Sequence, residues 1–108
     1  RLNMTEAPTI AIALFTLKPG RTVDGYRAFS REVIRDGMAQ MPSVRGFKDY
    51  AGSSAMTATD GGWQLVEVVH ITSPDEFTRD NQELPGLSTA EAWNEWVDET
   101  VVLFLDEL

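Results

Sequence analysis

The chain has no cysteine, one histidine, and only nine lysines and arginines against 17 aspartates and glutamates, in 108 residues. Without cysteine there is no disulfide, no thiolate nucleophile and no sulfur-ligated metal. With one imidazole, a metal would depend on carboxylates, and the acidic pairs Asp75-Glu76 and Asp106-Glu107 stand where a helix start and a tail hold charges in water. The formal net charge of −8 repels phosphate backbones and anionic lipid, so neither nucleic acid nor a membrane surface is an expected partner. No run approaches the roughly 20 apolar residues that cross a bilayer, and the N-terminus lacks the successive basic and apolar regions of a secretion signal. A cytoplasmic protein is expected, which the lack of cysteine also suits. No Gly-x-Gly-x-x-Gly or P-loop pattern offers a nucleotide a cradle, and no serine stands in a nucleophile elbow. Neither a metal nor an organic cofactor is expected.

What is present suits a single domain. Met4-Thr-Glu-Ala reads as a natural start, so residues 1–3 are set aside as an added remnant, 1–9 as an N-terminal arm, and 10–108 as the domain. Residues 10–17 form a first strand closed by Pro19-Gly20, with Ile10, Ile12 and Leu14 on one parity and Ala11, Ala13, Phe15 and Leu17 on the other. From Thr22 the period becomes helical, through Tyr26, Phe29, Val33, Ile34, Met38 and Met41, and stops near Pro42. The stretch VRGFKDYA is a short second strand, the polar loop over 52–62 is placed at a cavity mouth or as a plain hairpin connection, and WQLVEVVHIT supplies the third strand. Ser73-Pro74-Asp75-Glu76 opens a helix with a reciprocal cap. Ser88-Thr89-Ala90-Glu91 repeats the pattern and opens a shorter helix with Ala92, Trp93, Trp96 and Val97; TVVLFL is the last strand.

This order is the split βαββαβ arrangement of ferredoxin-like α+β domains, with an antiparallel four-stranded sheet. Two helices cover one face of such a sheet, yet the first, third and last strands are apolar on both parities. The expected remedy is a homodimer in which two sheets face each other as a dimeric α/β barrel, with a cavity between them.

The stretches LFTLKPGRTVDGYRAF, MPSVRGFKDY and QLVEVVHITSPDEF resemble the RedY-like (HapK-like) proteins of the dimeric α/β-barrel superfamily, over about residues 10–108. The resemblance implies a homodimer encoded with bacterial secondary-metabolite pathways such as those of prodiginines and bisindoles. It also implies action on a small aromatic intermediate of indole or pyrrole type, without metal or organic cofactor, by proton transfer. Relatives commonly carry a histidine in the middle of the first strand, where this chain has Ala13; either His70 substitutes for it or the chemistry differs.

Glu67 is the leading candidate for acid/base work. Its parity mates Leu65, Val69 and Ile71 are apolar, and a carboxyl buried among such neighbours holds a proton toward neutral pH. The bland alternative pairs it with Lys48 or Arg45 of the second strand, or sends it to the dimer interface. His70 has the chemistry of a proton carrier but stands three residues away on the same strand, hence on the opposite face unless a bulge intervenes or a second subunit brings its copy across. Tyr26, Trp93 and Trp96 are candidate aromatic walls for a flat substrate, or core. Lys48 and Tyr50 share a parity and form either a cavity cation and phenol or an ion pair and interface hydroxyl. Three functions follow: a cofactor-independent proton-transfer enzyme catalysing dehydration, cyclisation or aromatisation; a cofactor-free monooxygenase acting on an anthrone-like molecule; or a module that binds and chaperones an unstable intermediate.

Overall fold

The computed structural model describes residues 8–52 and 62–108. The remnant assigned to residues 1–3 and nearly all of the loop over 52–62 lie outside them. The elements are β1 (Thr9–Leu17), α1 (Val23–Phe29), a π-helical turn (Ser30–Ile34), α2 (Arg35–Ala39), β2 (Val44–Ala51), β3 (Leu65–Ile71), α3 (Pro74–Gln82), α4 (Gly86–Asn94) and β4 (Val97–Asp106). The strands form one antiparallel sheet in the order β2-β3-β1-β4, the ferredoxin-like topology. No helix among the described residues is long and apolar enough to cross a membrane.

Several local expectations need correction. The first helix is not regular. Its buried side chains Tyr26, Ser30, Ile34 and Met38 recur every four residues, with Gly37 buried beside the last, whereas an α-helix turns in 3.6. The π turn, in which the Arg35 N–H reaches the Ser30 carbonyl, underwinds the helix and keeps that stripe on the sheet; Val33 is left 38% exposed. The second short helix starts at Gly86, with Pro85 at its N-cap, so Ser88 lies inside it and caps nothing; Trp96 and Val97 lie beyond its end, and Val97 opens β4. Ser73 does cap α3, accepting from the Glu76 N–H at 3.1 Å.

The registers define the two faces. Phe15, Ala13 and Ala11 of β1 pair with Leu65, Glu67 and Val69 of β3, and all six are buried beneath the helices. Phe15, Tyr26 and Ile34 are sealed in this layer, each contributing about 1.5 to 3 kcal/mol by leaving water. The opposite face carries Ile12 beside Val68 and Leu103, and Leu14 beside Val66 and Val101. No helix among the described residues covers that face, and Val101, Leu103 and Leu105 are 40%, 43% and 41% exposed.

Candidate active site

Glu67 projects from β3 into the helix-covered layer, where it is 4% exposed. Neither Lys48 nor Arg45 meets it. Its partner comes from α1: the Tyr26 hydroxyl, 1% exposed, donates to Glu67 Oε2 at 3.0 Å, and the Trp93 Nε1–H of α4 donates to the Tyr26 oxygen at 3.0 Å. Phe15 meets the rings of Tyr26 and Trp93 edge to face at 5.3 and 5.1 Å, fixing both. Burial is the main cause that pushes the Glu67 carboxyl up from 4.5 to about 7. The Tyr26 hydrogen bond restrains the rise, and the neighbouring Asp49 adds to it. Burial and the Glu67 charge together push the Tyr26 phenol far up, so it stays protonated.

Tyr26 commits its hydrogen to Oε2 while its own oxygen accepts from Trp93. Trp93 also acts on the Glu67 carboxyl itself, whose proton affinity it lowers, and Glu67 lies on the lining of the cavity beside it.

That cavity, about 330 Å³, lies between the sheet and α3 and α4 of one chain, distinct from the cavity expected between the facing sheets of a dimer. Its size suits a small ligand. Ala11, Ala13, Val69, Ile34, Met38 and Trp93 form an apolar floor and wall. Thr78, Asn81, Gln82, Thr89 and Asn94 supply neutral polar groups. Val102 and Phe104 of the edge strand β4, 49% and 43% exposed, mark where it opens. Glu67 is the one titratable side chain on its lining among the described residues. No group of three or more His, Asp or Glu able to hold a metal occurs among the described residues.

The candidates from sequence thus separate. Glu67, Tyr26 and Trp93 come together. Trp96 packs outside the cavity, stacked on Phe29 at 4.9 Å with the Arg21 guanidinium 4.0 Å from its ring centre. His70 pairs with Ile10 and Gly46, Lys48 with Val68, and Tyr50 with Val66, so all three belong to the open face, away from Glu67. Within one chain His70 cannot take the place of a first-strand histidine. Ala13, by contrast, is the direct cross-strand partner of Glu67 and lines the cavity.

Sequence reasoning missed Asp49, which stands opposite Glu67 from β2. Phe47, the large apolar residue of that strand, shares its parity and marks the covered face, a signal that favours Asp49 over Lys48 and Tyr50. The polar groups of α3 and α4 carry no comparable pattern.

A family model described as REDY-like protein HapK matches residues 9–108. None of the curated proteins matches the chain. Among solved structures, HapK from Hahella chejuensis superposes with a TM-score of 0.77 at 19% identity, over 93% of this chain and 92% of its own. A hydroxynitrile lyase from Passiflora edulis gives 0.77 at 13%, over 95% of each chain. A dimeric ferredoxin-like protein of unknown function from Thermobifida fusca gives 0.72 at 14%, over 99% and 97%. At these identities the likeness establishes the fold alone.

Proposed function

The chain belongs to the HapK (REDY-like) family, and from that premise we propose that it is a homodimeric, cofactor-independent enzyme that moves protons on a small aromatic intermediate of bacterial secondary metabolism. The observation that carries this reading is a carboxyl on the lining of a largely apolar cavity, held by the Tyr26 hydroxyl and pushed by burial up to about 7. Near neutral pH such a group is present in both forms, so the carboxyl delivers a proton when protonated and withdraws one when ionised. Tyr26 stabilises the carboxylate that remains after delivery, and Trp93 holds Tyr26 in place. Among the described residues the cavity lining offers no cation, which suits a neutral molecule of indole or pyrrole type, with the amides of Asn81 and Asn94 available to its polar substituents. Dehydration, cyclisation and aromatisation all reduce to such transfers. That a hydroxynitrile lyase stands on the same fold shows that the fold supports lyase chemistry. The exposed apolar face of β1, β3 and β4 is the surface on which a second copy sits, in keeping with a neighbour that is dimeric.

A second reading, a holder for an unstable intermediate, is favoured by Ala13: the position beside Glu67 holds a methyl group, leaving a single titratable side chain on the cavity lining. Turnover of a panel of indole, pyrrole and polyphenol compounds, with and without oxygen, separates the readings. Oxygen-independent product that disappears in Glu67→Gln while the dimer persists supports the enzyme. Product only with oxygen indicates a monooxygenase; saturable binding without product indicates the holder.

A further inference from the structure

The carboxyl opposite Glu67 has no part in the chemistry above, and its setting differs. Asp49 does not line the large cavity. It lines a separate groove of about 130 Å³ between β2 and the first helical segments, together with Arg27, Arg31 and Arg35, Tyr50 and one side of Tyr26. Its side chain accepts a hydrogen bond from Ser30, a hydroxyl that the π turn carries into the interior at 2% exposure, and Arg35 Nη2 stands 4.0 Å from its Oδ1. Glu67 has no cation against it; the titratable groups that face it are Tyr26 from α1 and Asp49 from β2. Two like charges directly opposite on neighbouring strands are unfavourable, so a fold that merely needed a polar residue at position 49 is better served by asparagine.

We propose that Asp49 is a positioning residue for the proton-transfer site: its negative charge, fixed by Ser30 and partly balanced by Arg35, acts across the sheet on Glu67 and adds to burial in favouring the protonated form of that carboxyl. Asp49 reaches no ligand in the cavity and acts only through Glu67. The inference rests on Glu67 as the acid/base group.

The test is a carbon-detected titration of the Glu67 carboxyl in the full chain without substrate, for wild type, Asp49→Asn and Arg35→Gln, each checked for an unchanged amide spectrum. Asp49→Asn is expected to move the Glu67 midpoint down by about one pH unit, a tenfold stronger acid. Arg35→Gln is expected to move it up, because the balancing cation is gone. With a substrate in hand, Asp49→Asn loses rate at neutral pH and regains it when the pH is lowered by the same interval, which a merely structural residue would not do. A Glu67 midpoint unmoved or raised in folded Asp49→Asn overturns the proposal; if that variant does not fold, an unmoved or lowered midpoint in Arg35→Gln overturns it. The titration is independent of turnover. Unchanged activity in Glu67→Gln sinks the proposed function and leaves this electrostatic coupling standing, so the two failures are distinct.

Discussion

Replacing Glu67 by glutamine should remove a pH dependence of stability that the native fold carries at this one side chain. In the unfolded chain the carboxyl releases its proton around 4.5, while in the fold it holds it to about 7. Between those values the native state binds a proton that the unfolded state has lost, so stability falls as pH rises through the window. Two and a half units at about 1.36 kcal/mol each give a limit of about 3 kcal/mol, and between pH 5 and pH 8 about 2 to 3 kcal/mol of it is traversed. The side chain is sealed from solvent, so little of this is lost to screening. Glutamine keeps the shape, its carbonyl oxygen still accepts from Tyr26, and it does not titrate. Urea unfolding at pH 5 and pH 8, at one protein concentration because a dimer's stability depends on it, yields the difference between wild type and variant, in which all other groups cancel. Wild type is expected to lose about 2 to 3 kcal/mol more than Glu67→Gln on going from pH 5 to pH 8. Equal losses would refute the assignment of a raised pKa to Glu67, and with it the premise of an acid/base group in the cavity.

Tyr26→Phe deprives Glu67 of its donor and Trp93 of its acceptor, so stability is expected to drop by about 1 to 3 kcal/mol and the Glu67 midpoint to rise above 7, since the lost bond is one that lowers it; a midpoint that falls on titration contradicts the assigned donor direction. Gly37→Ala, a change that ordinarily stabilises a helix, is expected to destabilise by about 1 to 3 kcal/mol, because a Cβ at Gly37 would come 1.9 Å from Thr89 Oγ1 where α2 crosses α4. Thermal melts of Gly37→Ala and Gly37→Ala with Thr89→Ala measure this, with partial recovery expected in the double variant. Leu103→Asp puts a charge on the open sheet face, midway along the edge strand β4, and is expected to give a monomer by light scattering with the helix-side core retained; a variant that remains dimeric places the interface elsewhere.

The strand faces were legible where apolar parity alone decides them. The doubled apolar pattern of β1 implied cover on both sides, and one of its faces lies beneath the helices; the three-residue separation of Glu67 and His70 put them on opposite faces, which the registers bear out. The helical details were hidden because tertiary contacts override local signals there. The start of α4 at Gly86 depends on a glycine lying against α3, where a Cβ would meet the Asp80 carbonyl oxygen at 2.0 Å, and no capping pattern reports such an approach. The stripe at 26, 30, 34 and 38 looks like an ordinary amphipathic helix until its fourfold spacing is set against 3.6, and only packing on the sheet forces the π turn.

The site was half legible for the same reason. Parity gives the face on which a strand residue lies but not its neighbour on the next strand, which depends on register. Ala13 and Glu67 lie 54 positions apart in the chain and become direct partners only when β1 pairs with β3. That adjacency makes Ala13 consequential: a residue in the middle of β1 on this parity reaches the same cavity as Glu67, whereas His70, three positions from Glu67, does not. The chain's one imidazole is therefore on the face open to a second copy, and the titratable side chain left on the cavity lining among the described residues is Glu67, with Tyr26 behind it. Ala13→His supplies the comparison. A base beside Glu67 accepts its proton, so the midpoint of Glu67 is expected to fall below 7 in that variant, and an unmoved midpoint on titration would mean that position 13 does not reach the carboxyl.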